Sequence, residues 1–247
     1  KVDNNMTNDD GQITFNLKKV SGNHNAVYVF HEVQQRTGYA TSADFMLSLP
    51  ATANADGNVY VYPKNEQVTT YSHKFKKIDA HTKLALSGAQ FKLQQKSDGK
   101  FLKLIDQYGN DVVNDQNEKV LTGLVKVVAK NYRMVWGTED DATIFVSGDD
   151  GYFGLDGFDQ ETKDGAYAAM EVSAPKGYDF DKTKLSQFDA DNATSIDEAK
   201  DPETPIENTP RGILPHTGGA GILAILAVGS ALIAIAFVGI RKRQARA

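Results

Sequence analysis

Tyr167-Ala-Ala-Met-Glu171-Val-Ser-Ala-Pro-Lys-Gly177-Tyr178 is the stretch from which the organisation of this 247-residue chain can be read. Its spacing recurs at Tyr28-Val-Phe-His-Glu32-Val-Gln-Gln-Arg-Thr-Gly38-Tyr39. In both copies Tyr stands four residues before Glu, and Gly-Tyr follows six and seven after it. Each copy is preceded by a Gly-aromatic strand signal, Asp10–Phe15 and Asp150–Leu155. Self-similarity of this kind marks repeated structural units. On a strand, residues i, i+2 and i+4 share a face, so Tyr167, Ala169 and Glu171 point the same way. If Tyr167 enters a core, Glu171 enters with it.

The surrounding sequence is strand-like. Phe91-Lys-Leu-Gln, Phe101-Leu-Lys-Leu-Ile, Lys126-Val-Val-Ala and Ala142-Thr-Ile-Phe-Val are short runs separated by Gly, Asp and Asn clusters, the signature of an antiparallel all-β sandwich. Residues 109–122 and 184–204 are polar and read as loops. The second of these carries Asp189, Asp191, Asp197 and Glu198 but lacks the ligand-Gly-Glu order of a calcium loop. Tyr132 and Trp136 read as core or strand residues. Only 27 residues precede the first repeat, too few for the strands that lead into the second. The first unit is therefore expected to be the C-terminal part of a larger domain, and the absence of an initiator Met and a signal peptide points the same way.

A buried carboxylate takes up a proton unless it is paired, and a buried lysine tends to lose one. Lys74-Phe-Lys-Lys77-Ile-Asp79 sets Lys77 on the face of Phe75 and turns Lys76 to the opposite face. Pro205-Ile-Glu-Asn208-Thr-Pro210 sets Asn208 on the face of Ile206. These residues resemble the triad of Cna protein B-type domains, the prealbumin- or immunoglobulin-like sandwiches of Gram-positive pilins and adhesins. Lys77-Ile-Asp79 with Leu86-Ser-Gly-Ala-Gln-Phe-Lys-Leu93 is similar to their first-strand pattern, and Tyr167 through Tyr178 to their E-box. The resemblance implies an intramolecular isopeptide bond from Lys77 Nζ to Asn208 Cγ, with ammonia released. An apolar site would free Lys77 as a nucleophile, and a protonated Glu171 would donate to the Asn208 carbonyl oxygen and shuttle protons. Carried to the first copy, the resemblance makes Glu32 and Asn65 the matching pair, with their lysine on a strand outside the sequence and Asn65 unpaired within it.

Immediately before Asn65 stands Val59-Tyr-Val-Tyr-Pro-Lys64, which resembles the pilin motif of backbone pilins. That likeness implies that the Lys64 amine attacks the sortase-held Thr of the next subunit. Pro63 stiffens the segment and favours a strand end, which fits an exposed nucleophile. The family pattern carries Trp where this chain has Ala55. Taken alone, Lys64 reads as a solvent-facing linker lysine.

Toward the C-terminus three features follow in order: Leu214-Pro215-His216-Thr217-Gly218, an uncharged apolar run over 220–240, and a tail with Arg241, Lys242, Arg243 and Arg246. The run is long enough to cross a bilayer, and the cationic end would stay cytoplasmic. Together they resemble the cell-wall sorting signal, which implies sortase cleavage between Thr217 and Gly218. The organisation expected is a truncated pilin domain over 1–65, a Cna protein B-type sandwich over 66–210, a linker over 211–219, a transmembrane helix over 220–240 and a basic tail over 241–247.

The net charge is −5, and loss of residues 218–247, with four positive charges and no negative one, leaves −9. That balance, without a basic stripe, argues against nucleic acid. There is no cysteine, so neither disulfides nor thiolate metal sites are available. The five histidines fall in no metalloprotease pattern, and no nucleotide, hydrolase or cofactor motif is present. The expected protein is thus no turnover enzyme and needs no cofactor. The resemblances imply a secreted, wall-linked pilus subunit, made as a membrane-anchored precursor, whose partners are sortase, further pilin subunits and peptidoglycan. An anchored or tip adhesin binding host glycoprotein or matrix, and a passive wall stalk, are the alternatives.

Overall fold

A computed structural model describes residues 6–8, 10–193 and 195–211. The sorting motif, the apolar run and the basic tail lie outside the described residues. Apart from one 3₁₀ turn at Glu139–Asp141, the regular structure of the described residues is all β.

Strands β1 (Val20–Ser21), β2 (His24–Phe30) and β3 (Phe45–Leu49) form a three-stranded antiparallel sheet. The rest builds a sandwich from β4 (Tyr71–Asp79), β5 (Gln90–Gln95), β6 (Phe101–Ile105), β7 (Val120–Thr122), β8 (Leu124–Val125), β9 (Arg133–Gly137), β10 (Ile144–Val146), β11 (Tyr152–Phe158), β12 (Tyr167–Ser173), β13 (Tyr178–Asp179), β14 (Leu185–Phe188) and β15 (Ile206–Pro210). One sheet runs β14-β12-β5-β10-β7, with β6 attached at β5 and β9 in turn at β6. The facing sheet runs β13-β15-β4-β11-β8.

Aromatic residues from the inner faces hold the layers together, as alternation in a half-buried sheet requires. Phe91 of β5 stacks on Phe153 of β11 at 4.2 Å between ring centroids. Phe75 of β4 meets Phe188 of β14 edge-on at 4.8 Å. Trp136 of β9 stacks on Tyr167 at 5.5 Å and Tyr132 packs against the same core, as the sequence suggested. The first and last strands of the sandwich, β4 and β15, lie side by side and parallel, Ile206 opposite Lys77 and Asn208 opposite Asp79.

Four segments differ from the local reading. Lys126–Ala129 is a turn, not a strand, because the chain must leave the short β8 and reverse toward β9. The polar segments contain strands after all. Leu185–Phe188 pairs with β12, anchored by buried Phe188, and Val120–Thr122 pairs with β10. Asp10–Phe15 forms no strand: Asn8 and Gln12 close a tight turn there, and a strand is stable only with a partner to bond.

The Asp-Gly turn before β11 has a definite task. Gly151 has φ of 78°, and a Cβ there would sit 2.5 Å from the Lys77 carbonyl oxygen. Only glycine permits both the left-handed backbone and this approach, and through it Gly151 O accepts from Lys77 N at 2.8 Å.

Candidate functional site

Lys77 stands on β4, Glu171 on β12 and Asn208 on β15, and the sandwich closes all three into its interior. Lys77 is 0% exposed, Asn208 3% and Glu171 7%. The Lys77 amine donates to Asn208 Oδ1 at 2.5 Å and lies 3.3 Å from Glu171 Oε2. Asn208 Nδ2 donates to Glu171 Oε1 at 2.6 Å. One carboxyl group therefore bridges the lysine nitrogen and the amide nitrogen. Glu171 was expected to address the carbonyl oxygen. Here it accepts from the amide nitrogen instead, leaving Oδ1 to the lysine, because an acceptor group seeks the N–H donors of the carboxamide.

Burial pushes the Lys77 ammonium down to about 8, against the pull of the Glu171 charge. Burial likewise pushes the Glu171 carboxyl up, opposed by its hydrogen bond from Asn208 and by Lys77. The two groups are thereby brought toward sharing one proton, the condition for moving it between them. The neighbouring lysines are engaged elsewhere. Lys74 pairs with Asp201 at 2.8 Å, and Lys76 donates to the Tyr152 hydroxyl at 3.1 Å from the opposite face.

Two residues around the triad hold its strands in place. The Asp79 carboxylate accepts from the backbone N–H groups of His81 and Thr82 and from the Tyr178 hydroxyl at 2.8 Å. The Thr82 N–H is the foremost of the bonds that keep Asp79 low, at about 2. Tyr178 belongs to β13, the outer neighbour of β15. The acceptor strand is thus gripped from both sides, which neither motif revealed on its own. Beside the triad a cleft of about 300 Å³ opens, lined by Phe91, Ala169, Glu171, Lys184 and Asn208 among others.

The first copy repeats half of this arrangement. Asn65 Nδ2 donates to Glu32 Oε2 at 2.7 Å and to Ala40 O at 2.8 Å. Tyr39 bridges to Gln67, two residues beyond Asn65, as Tyr178 pairs with Pro210, two beyond Asn208. Val68 N donates to Gly38 O, and Arg211 N to Gly177 O. Among the described residues no lysine amine bonds to Asn65. Lys64 is exposed on an irregular segment rather than at a strand end, next to exposed Val61 and Tyr62.

Residues 71–202 match the family described as the SpaA prealbumin-like fold domain, and residues 1–66 the Gram-positive pilin subunit D1, N-terminal domain. This chain belongs to the Gram-positive pilins. Shaft pilin SpaA from Lactobacillus rhamnosus GG is 47% identical to this pilin, over 85% of this chain and 76% of that one, with a TM-score of 0.69. A single-residue variant of the same shaft pilin matches at 47% identity over 85% of this pilin and 81% of its own chain, with a TM-score of 0.68. No curated protein matches this pilin.

Proposed function

We propose that this pilin is a shaft subunit, a structural unit of a cell-surface pilus that is welded internally by a Lys77–Asn208 isopeptide bond and joined to the next subunit through Lys64. The observation that carries the reading is the buried contact of Lys77, Glu171 and Asn208. Nucleophile, electrophile and proton carrier converge in a site that penalises charge.

In its neutral form the Lys77 amine attacks Asn208 Cγ, reached from Oδ1 by a small rotation of the side-chain end. Glu171 supplies a proton to Nδ2 through Oε1 and takes one from Nζ through Oε2. The C–N bond to Nδ2 breaks, the Nζ–Cγ amide remains, and ammonia leaves by the adjoining cleft. The carboxyl ends as it began, so the chain acts on itself once and turns over no substrate.

Polymerisation follows from separate features. Lys64 is an exposed amine on a segment stiffened by Pro63. The sorting motif at Leu214–Gly218 supplies Thr217 as an acyl donor to a sortase, which would pass it to Lys64 of another copy, and the terminal subunit to peptidoglycan. The membrane-anchored precursor rests on the 220–240 run.

Intact mass of the full chain tests the internal bond: closure lowers it by about 17 Da, one ammonia. A chain of full calculated mass refutes it.

A further inference from the structure

Resting on the isopeptide reading, we propose that Lys184 is a positioning residue for bond closure: a fixed cation at the mouth of the cleft that sets the pH range in which Glu171 and Lys77 exchange their proton.

The strand register puts it there. β12 and β14 pair antiparallel from Tyr167 opposite Phe188 to Met170 opposite Leu185, so one further step sets Lys184 against Glu171. Ala169 and Glu171 of β12, with Lys184 and Ser186 beside and within β14, line the cleft that reaches Asn208. Alternation by two along each chain gives all four one face. Lys184 is exposed and takes part in none of the ion pairs among the described residues.

The other charges around Glu171 are spoken for. From β4 comes Lys77 itself. From β15 comes Glu207, held by Lys83 at 2.6 Å. From β13 comes Asp179, held by Arg211 at 2.8 Å; from the β13–β14 connection comes Asp181, which accepts from the Thr183 hydroxyl at 2.6 Å and is itself within the field of Lys184. From β5 comes Phe91, without charge. Burial dominates the protonation of both reactive groups, and among the smaller influences the Lys184 charge lowers each of them. A positive charge here resists the Lys77 ammonium and favours the Glu171 carboxylate, so the whole working range moves to lower pH.

The test uses the full chain recovered unfolded from inclusion bodies, refolded at intervals from about pH 5 to pH 10, with loss of ammonia followed by intact mass. Lys184→Met is expected to move both limbs of the rate profile up by roughly half a pH unit, and Lys184→Glu by about twice that. Lys184→Arg keeps the wild-type profile. A Lys184→Met profile superimposable on wild type overturns the proposal, as does a uniform slowing that leaves the limbs in place. If neither wild type nor variant loses ammonia at any pH, the isopeptide reading itself fails, and this proposal with it.

Discussion

Lys77 and Asn208 are separated by 131 positions in the chain, yet their side chains meet at 2.5 Å across two adjoining parallel strands. A covalent link at this point has a mechanical consequence. With the proposed link in place, tension entering at the start of β4 and leaving at the end of β15 would pass through it and bypass everything folded between them. Parallel strands pulled from opposite ends are otherwise held only by backbone hydrogen bonds and packing.

Replacing Glu171 by Gln keeps the shape but removes the proton carrier. The variant is expected to retain the ammonia that wild type loses, reading about 17 Da heavier than wild type apart from the substitution itself. In the chain-entropy picture, opening a loop this long costs about 5 kcal/mol, so thermal unfolding should fall by roughly 10–20 °C. Calorimetry beside mass spectrometry checks both; a Glu171→Gln chain that still lacks ammonia removes Glu171 from the chemistry.

Bond closure should have a bell-shaped pH dependence. With both groups protonated, Lys77 is an ammonium and cannot attack. With both deprotonated, no acid remains for the leaving nitrogen. Since burial brings Lys77 down to about 8, the falling limb should lie near that pH. Since burial raises Glu171, the rising limb should lie above the usual carboxylate range. Refolding rates read by mass across the pH scale decide it; a rate still climbing well past 8 would contradict the shared-proton scheme.

Gly151→Ala forces a Cβ to 2.5 Å from the Lys77 carbonyl oxygen at a left-handed backbone position. A loss of roughly 1–3 kcal/mol is expected, with slower closure because the strand carrying Lys77 must shift. Denaturant unfolding and the time course of ammonia loss measure the two effects.

Asn65→Ala should leave the expected ammonia deficit of this chain untouched, because Asn65 bonds to Glu32 and Ala40 and to no lysine amine among the described residues. If the variant regains one ammonia, a donor to Asn65 exists within the sequence.

Lys64→Ala should abolish the SDS-resistant ladder formed with a sortase while leaving the internal bond intact. Immunoblotting of wall extracts reads the ladder and mass reads the bond; a ladder that persists transfers the polymerising role to another lysine.

Much of this molecule could be read before folding. The period-two strands and the repeated Tyr-Glu-Gly-Tyr spacing announce a β protein with duplicated parts, because a strand's inward face imposes its alternation directly on the chain. Lys77 and Glu171 stood out as charges on apolar faces, and Asn208 by its place beside Ile206. Weaker signals misled where a strand owes its existence to a neighbour. Leu185–Phe188 looks like loop until β12 is beside it, while Asp10–Phe15 looks like strand and pairs with no strand among the described residues.

What the amino-acid order determined by itself was the chemistry on offer: an amine, a carboxyl and a carboxamide placed on inward-facing positions, and a Leu-Pro-His-Thr-Gly stretch that resembles a sorting motif. Only the tertiary structure decided which atoms meet. It laid the first and last strands side by side, turned Glu171 toward the amide nitrogen, and set Lys184 on the same cleft. Distances of a few ångströms between residues more than a hundred positions apart depend on sheet order and register, and those arise from the packing of the whole core rather than from any local pattern.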